Sequence, residues 1–131
     1  MMKKNLIVFF VVIAFACAGC VPTTLYNWGN YSNTLYHFRK DANDDTRDKH
    51  MAELEAIITG STEHNKRVPP GVFCELGYMH AKKGNKNKAM ELFALEKTTY
   101  PESAHFVNRL MESIKTVEET GNKTVEKERK S

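Results

Sequence analysis

The chain has 131 residues, of which 41% are hydrophobic and 27% charged, and this length fits one folded domain. Its formal charge is +3, but two lysines lie in a segment interpreted below as a cleaved leader, which leaves 17 of the 19 basic side chains against 16 acidic ones. This near balance argues against nucleic-acid binding through phosphates, which requires a clearly basic domain. With 7 Gly, 4 Pro and one long apolar run, the chain is neither collagen-like nor a multi-pass membrane protein.

The N-terminus has the layout of a secretory signal peptide. A lysine pair precedes an apolar run from Leu6 to Ala18, which is shorter than the roughly 20 residues that a helix needs to span a bilayer. The run ends in Cys17-Ala18-Gly19-Cys20, which resembles the lipobox of bacterial lipoproteins, although Cys17 stands where an aliphatic residue is usual. The resemblance implies a signal peptide over residues 1–19 and lipidation of Cys20. Ordinary secretory cleavage nearby is the alternative.

A lipidated Cys20 would anchor the chain firmly, because several acyl chains bind a membrane far more tightly than one. In lipoproteins of bacteria with two membranes, an Asp after the lipidated cysteine commonly signals retention in the inner membrane. Val21 stands there, so the resemblance implies outer-membrane sorting with the body in the periplasm. Cys74 is the other thiol of the mature chain, and we expect no internal disulfide.

We divide the mature chain into three zones. Residues 20–30 form a lipidated tether, residues 31–116 a helical domain, and residues 117–131 a charged flexible tail. The tail has too little apolar surface to offset the entropy that ordering would cost, so we expect frayed helix or disorder there.

Apolar spacing predicts a helical hairpin at the start of the domain. The first helix carries Tyr31, Leu35, Tyr36 and Phe38, and the second carries Met51, Leu54, Ile57 and Ile58. We expect Asp45 or Thr46 to cap the second helix and Gly60 to end it. The pair Pro69-Pro70 then leads into a third helix.

The 34 residues from Pro70 to Ser103 resemble a tetratricopeptide repeat, whose pattern is W-x-x-L-G-x-x-Y, A-x-x-x-F and P. The matching positions are Phe73, Leu76, Gly77, His80, Gly84, Ala89, Phe93 and Pro101. Gly77 and Ala89 are small where the two helices would cross, and Gly84 would end the first helix. His80 and Glu96 depart from the pattern, and each should weaken the packing at one contact. An unrelated helical hairpin with a similar apolar period is the alternative.

A fifth helix is predicted from Ala104 to about Lys115. Its apolar side chains have helical spacing and are Phe106, Val107, Leu110, Met111 and Ile114. This helix would cap the apolar face that arrays of repeats leave open at their ends. The predicted fold is therefore all-α, with about five helices in tetratricopeptide-like antiparallel hairpins and a capping helix.

The resemblance extends beyond the repeat. The segments that carry it include Trp28-Gly29-Asn30-Tyr31, Val68-Pro69-Pro70-Gly71, Glu75-Leu76-Gly77-Tyr78 and Tyr100-Pro101-Glu102-Ser103. Over about residues 26 to 114 the chain is similar to a family of small bacterial lipoproteins catalogued as domain of unknown function 4810. Members of that family are similar to lipoproteins that occur beside a curli-exporter-like lipoprotein, which implies a role in an envelope assembly.

No catalytic or metal-binding pattern stands out in the sequence. The five histidines are scattered, and the mature chain contains no His-Glu-x-x-His motif, no paired Cys-x-x-Cys and no glycine-rich phosphate loop. His80 is better explained as a repeat-core residue than as a catalyst. We therefore expect no enzymatic activity, no cofactor and no metal.

A candidate partner groove remains. Cys74, Tyr78 and Lys82 are spaced by four residues and form one stripe of the third helix. In tetratricopeptide proteins this stripe lines a concave groove that holds partner segments, and here it suits an apolar and acidic ligand. The alternative is that the stripe packs against the first hairpin. A reactive Cys74 thiol is a third option.

We expect a non-enzymatic outer-membrane lipoprotein that acts as a scaffold or adaptor for another envelope protein, for which the resemblance suggests a curli-exporter-like lipoprotein. Its membrane contact would be made through the acyl chains on Cys20. The alternative function is an accessory subunit that modulates an envelope enzyme acting on cell wall or lipid. A mainly structural lipoprotein that stabilises a neighbouring complex is a further alternative.

Overall fold

The computed structural model describes residues 24–129, and it describes side chains as far as residue 116. This part of the chain is all-α, which confirms the predicted fold class. Its five helices are α1 (Tyr31–Lys40), α2 (Asp44–Glu63), α3 (Val72–Lys82), α4 (Lys86–Thr99) and α5 (Ala104–Arg129). The predicted leader and the lipidation site at Cys20 lie outside the described residues.

Helices α1 and α2 form the first hairpin, and a capping box begins α2. The Asn43 side chain accepts a hydrogen bond from the Thr46 N–H at 2.9 Å, and the Thr46 hydroxyl accepts one from the Asn43 N–H. The predicted N-caps, Asp45 and Thr46, were therefore wrong. Thr46 instead fills the third helical position, from which a side chain reaches back to the cap.

Helix α2 does not end at Gly60 as predicted but continues to Glu63. Gly60 is helical, and a Cβ there would lie 2.8 Å from the Asn27 side-chain nitrogen, so the missing side chain makes room for the segment before α1. The left-handed residue that follows the helix is Asn65, with φ 51°. Asparagine tolerates this conformation better than most residues, which is why the stop is displaced beyond the glycine.

Helices α3 and α4 form the second hairpin and cross closely. Gly84 makes the turn between them with φ 83°, as predicted, and α4 ends just before Pro101, which opens a short 3-10 turn. A Cβ at Gly77 would lie 2.9 Å from the Phe93 ring, so this glycine allows the ring to pack directly on the α3 backbone. The two helices are antiparallel, because Gly71 before α3 contacts Glu96 near the end of α4.

Helix α3 lies between two apolar clusters. The first joins it to the first hairpin and consists of Met51, Leu54, Ile57, Val72, Phe73, Leu76, Met79 and Leu92. The second has Cys74, Ala89, Phe93 and Val107 at its centre, with Leu110, Met111 and Ile114 packed against it. Opposite faces of α3 therefore contact the first hairpin and helix α5.

Helix α5 is longer than predicted, since it runs to Arg129 rather than to about Lys115. The backbone of the predicted tail is therefore helical as far as residue 129. Val107 is buried as expected, but Phe106 is 63% exposed. The helical period correctly predicted that α5 has an apolar face. Only part of that face, which includes Val107, packs on the core, and Phe106 lies at the surface.

Residues 24–30, which we assigned to the tether, lie against the body. Tyr26 forms an isolated parallel bridge with Arg67, and the Lys66 ammonium donates a hydrogen bond to the Thr24 hydroxyl at 3.0 Å. Residues 24–30 therefore belong to the folded body rather than to a free tether as predicted. Among the described helices, none is both long and apolar enough to cross a membrane.

The surroundings of Gly77 in α3 and Gly60 in α2 predict opposite effects when each is replaced by alanine. Gly77→Ala should lower the free energy of unfolding by about 1–3 kcal/mol, because its Cβ would overlap the Phe93 ring and approach the Ala89 carbonyl. Gly60→Ala is the matched control, since it meets only the movable end of Asn27 and gains up to about 1 kcal/mol of helix propensity. Urea unfolding followed by circular dichroism measures both, and equal losses would contradict the prediction.

Candidate functional site

An apolar pocket opens between helices α3 and α5. It has a volume of about 430 Å³ and is lined by Gly71, Cys74, Glu75, Tyr78, Phe106 and Leu110. Tyr78 is 41% exposed and Phe106 is 63% exposed, so two aromatic side chains stand at the mouth of the pocket. The arrangement can hold an apolar side chain between two rings.

The predicted stripe on α3 is only partly assembled around this pocket. Cys74 and Tyr78 line it, whereas Lys82 is not among the lining residues and instead places its ammonium 5.3 Å from the centre of the Tyr78 ring. This cation–π contact holds a positive charge beside the aromatic wall. The lining contains no residue of the first hairpin. The first hairpin therefore does not fill this pocket, which was the alternative arrangement.

The opposite wall, Phe106 and Leu110, was missed as part of the site. The sequence did contain a signal, because these two residues are four apart and share one face of α5. We had assigned that whole face to packing. Only the fold distinguishes the part that meets the core from the part that lines the pocket.

Cys74 forms a buried, protonated floor. Burial, together with the smaller effect of the nearby carboxylates of Glu96 and Glu75, raises the pKa of its thiol from 9.0 to about 11. A thiol with this pKa is almost entirely neutral at physiological pH. Cys74 therefore contributes apolar surface rather than a nucleophile.

Glu96 holds the start of α3 in place. Its buried carboxylate accepts hydrogen bonds from the backbone N–H groups of Gly71 at 2.9 Å and Cys74 at 3.4 Å. Gly71 occupies the N-cap position and has no side chain with which to cap the helix. We expected Glu96 to weaken the repeat packing, but it supplies the missing cap from the neighbouring helix.

A second buried polar group links three helices and was also missed. The fully buried His50 ring lies 2.8 Å from the Thr34 hydroxyl through Nδ1 and 3.2 Å from the Glu75 carboxylate through Nε2. The Tyr31 hydroxyl donates to the other oxygen of Glu75 at 2.8 Å. Burial and this carboxylate raise the pKa of Tyr31 to about 12.

A hydroxyl, an imidazole and a carboxylate in this order also occur in nucleophilic triads. In Thr34, His50 and Glu75, however, the surroundings of the imidazole indicate a packing role. The His50 ring is stacked on Phe38 and contacts Tyr31, and no part of it reaches solvent. The Thr34 hydroxyl is also within hydrogen-bond distance of the Tyr31 carbonyl, at 3.1 Å. A base so enclosed cannot meet a substrate, so the network fixes how α3 docks on the first hairpin.

The other predicted repeat positions are mostly internal. Phe73, Leu76, Gly77, Ala89 and Phe93 are buried. His80 is largely buried, and its Nε2 lies 3.8 Å from the Glu55 carboxylate. Among the residues whose side chains are described, no three His, Cys, Asp or Glu side chains are grouped so as to hold a metal ion.

The thiol provides a pH-dependent test. Alkylation of Cys74 by iodoacetamide at pH 8 should be about 100-fold slower in the folded protein than in urea, because raising the pKa by two units lowers the thiolate fraction a hundredfold. The rate should then rise about tenfold per pH unit until the pH approaches the thiol pKa. Mass spectrometry of the Cys74 peptide measures it, and equal rates in folded and unfolded protein would contradict the buried floor.

Comparison with known proteins gives a family. No curated protein and no solved structure matches the chain. The profile of one family, described as a domain of unknown function (DUF4810), matches residues 25–110. This match runs from the segment before α1 into α5 and includes both walls of the pocket. The chain therefore belongs to the DUF4810 family.

Proposed function

We propose that the protein is an outer-membrane lipoprotein whose helical body acts as a protein-binding adaptor or scaffold in the cell envelope. The observation that carries the proposal is the apolar pocket between α3 and α5, with the exposed rings of Tyr78 and Phe106 at its mouth. Exposed aromatic side chains around an apolar hollow are the usual anchors of protein interfaces. The lipobox-like segment ending at Cys20 supports the membrane attachment.

The arrangement of the helices supports a tetratricopeptide-like groove. The pocket lies between α3, the first helix of the second hairpin, and α5, the helix that follows that hairpin, while α4 contributes to the core through Ala89 and Phe93. In tetratricopeptide proteins, the first helices of successive repeats line the groove. On this proposal α5 plays the part of the next first helix as well as closing the core.

The chemistry of the pocket indicates what the partner presents. Its walls are apolar, its floor is a neutral thiol, and Lys82 places a positive charge over the Tyr78 ring. An apolar side chain inserted between the two rings, with an acidic residue beside it, would satisfy both features. We infer a partner segment of this composition.

A site-specific photo-cross-linker tests the groove. Placed at Phe106 in intact cells, it should give a discrete cross-linked protein, whereas the same group at Leu95, which is also exposed but lies on α4, should not. Tyr78→Ala should abolish the Phe106 product without lowering the unfolding midpoint, because much of the ring is in solvent. Identical products at Phe106 and Leu95 would contradict the groove.

The identity of the cross-linked protein separates the two functional alternatives. An assembly component without enzymatic activity supports the scaffold. An enzyme acting on cell wall or lipid supports the accessory subunit instead.

The anchor is tested by a matched pair of cysteine substitutions. In cells fed radiolabelled palmitate, Cys20→Ser should abolish labelling, whereas Cys74→Ser should leave both the label and the outer-membrane fraction unchanged. The difference is expected because Cys74 is buried in the body and Cys20 ends the lipobox-like segment. Persistent labelling of the Cys20→Ser variant would contradict lipidation at this site.

A further inference from the structure

We propose that the body lies directly on the bilayer surface in a fixed orientation, with Leu25 and Trp28 in the headgroup region and Lys66 and Arg67 beside the anionic phosphates. The inference rests on the proposed lipid anchor at Cys20. It adds to that anchor a second contact, made by the folded protein itself with phospholipid.

The first argument is the length of chain between anchor and body. Thr24, the first described residue, is four positions after Cys20, and an extended residue spans at most about 3.6 Å, so Thr24 lies within about 14 Å of the lipidated cysteine. Subtracting the hydrocarbon core from the whole bilayer leaves about 5–8 Å of headgroups on each side. Whatever surrounds Thr24 is therefore in or next to the headgroup layer.

The second argument is that Thr24 does not lead into a loose linker. Its hydroxyl accepts a hydrogen bond from Lys66, and two residues later Tyr26 pairs with Arg67. The segment then reaches α1 through a hydrogen bond from the Tyr31 N–H to the Trp28 carbonyl. A short anchor joined to a fixed segment holds this end of the body against the membrane.

The third argument is the chemistry of the segment. Leu25 is 60% exposed and Trp28 is 44% exposed, and the indole packs edge-on against the rings of Tyr26 and Tyr31. Scattered exposed apolar residues are ordinary on soluble proteins, but these follow the anchor site within eight residues. Tryptophan and tyrosine favour the membrane interface, and leucine favours its apolar side.

Two basic residues contact the same segment of the chain. Lys66 contacts Thr24, and the Arg67 guanidinium lies 5.0 Å from the centre of the Tyr100 ring, which fixes its position next to Tyr26. Basic side chains near a bilayer that contains anionic lipid are attracted to its negative surface. On this proposal, the aromatic and basic side chains of the segment meet the membrane as one surface that lies on the bilayer without spanning it.

Trp28 is the single tryptophan of the chain, so its fluorescence reports on this surface alone. The experiment uses the mature lipidated protein in vesicles of phosphatidylethanolamine and phosphatidylglycerol, with bromine near the top or near the bottom of the acyl chains. We expect a blue-shifted emission and a loss of intensity that is larger with the shallow bromines. Unshifted emission that bromine does not quench, in protein that floats with the vesicles, would overturn the inference while leaving the anchor intact.

Failure of the anchor itself gives a different result. Protein that does not float with the vesicles overturns the lipid attachment and this inference together. Flotation and quenching therefore separate the proposed function from the contact proposed here.

Two sets of variants sharpen the test. Leu25→Ser combined with Lys66→Glu and Arg67→Glu should reduce the quenching of Trp28, whereas Leu95→Ser combined with Lys88→Glu, on exposed positions of α4, should not. Moving the fluorophore provides the second control. Trp28→Phe with Lys88→Trp moves the indole to the first turn of α4, next to the end of α3 that lies away from Arg67, and should give no quenching; α3 has 11 residues and is about 16 Å long.

Quenching of the Lys88→Trp indole equal to that of Trp28 would mean that the body has no fixed orientation, and the inference would fail. Circular dichroism of each variant confirms that it is folded. Unchanged quenching in the triple variant would likewise overturn the roles of the named side chains.

Discussion

The close crossing of α3 and α4 at Gly77 is the constraint on which the rest of the structure depends. The Phe93 ring occupies the space that any side chain at position 77 would take, and this contact sets the distance and angle between the two helices. With α3 so placed, Leu76 faces the first hairpin and Cys74 faces α5. The core and the pocket are two sides of one helix, and neither would have its shape if α3 stood further from α4.

Buried polar groups give this packing its register. Glu75 binds Tyr31 and lies next to His50, so α3 can dock on the first hairpin only where both partners meet its carboxylate. Glu96 acts in the same way between α3 and α4. Since a misplaced helix would leave these groups buried without partners, the polar interior discriminates between arrangements that the apolar contacts alone would tolerate.

The sequence predicts most of the helices and turns, because these depend on near neighbours along the chain, although the N-cap and the end of α2 were predicted wrongly. The helical class, the turn at Gly84 and the end of α4 before Pro101 all follow from spacing and backbone preference. The contacts between distant residues were not predictable in this way. Glu96 and Gly71 are 25 residues apart, and the residues around each of them do not indicate that the two are in contact. Similarly, the period of α5 indicates an apolar face but not that Phe106 stands outside the core.

The Glu96 cap also bears on how the protein folds. Helix α3 has 11 residues and no cap of its own, and isolated helices of that length are marginal in water. Its first turn gains its acceptor only when α4 lies alongside it, so the two helices stabilise each other. The second hairpin should therefore form as one cooperative unit, with the pocket floor appearing in the same step as its core.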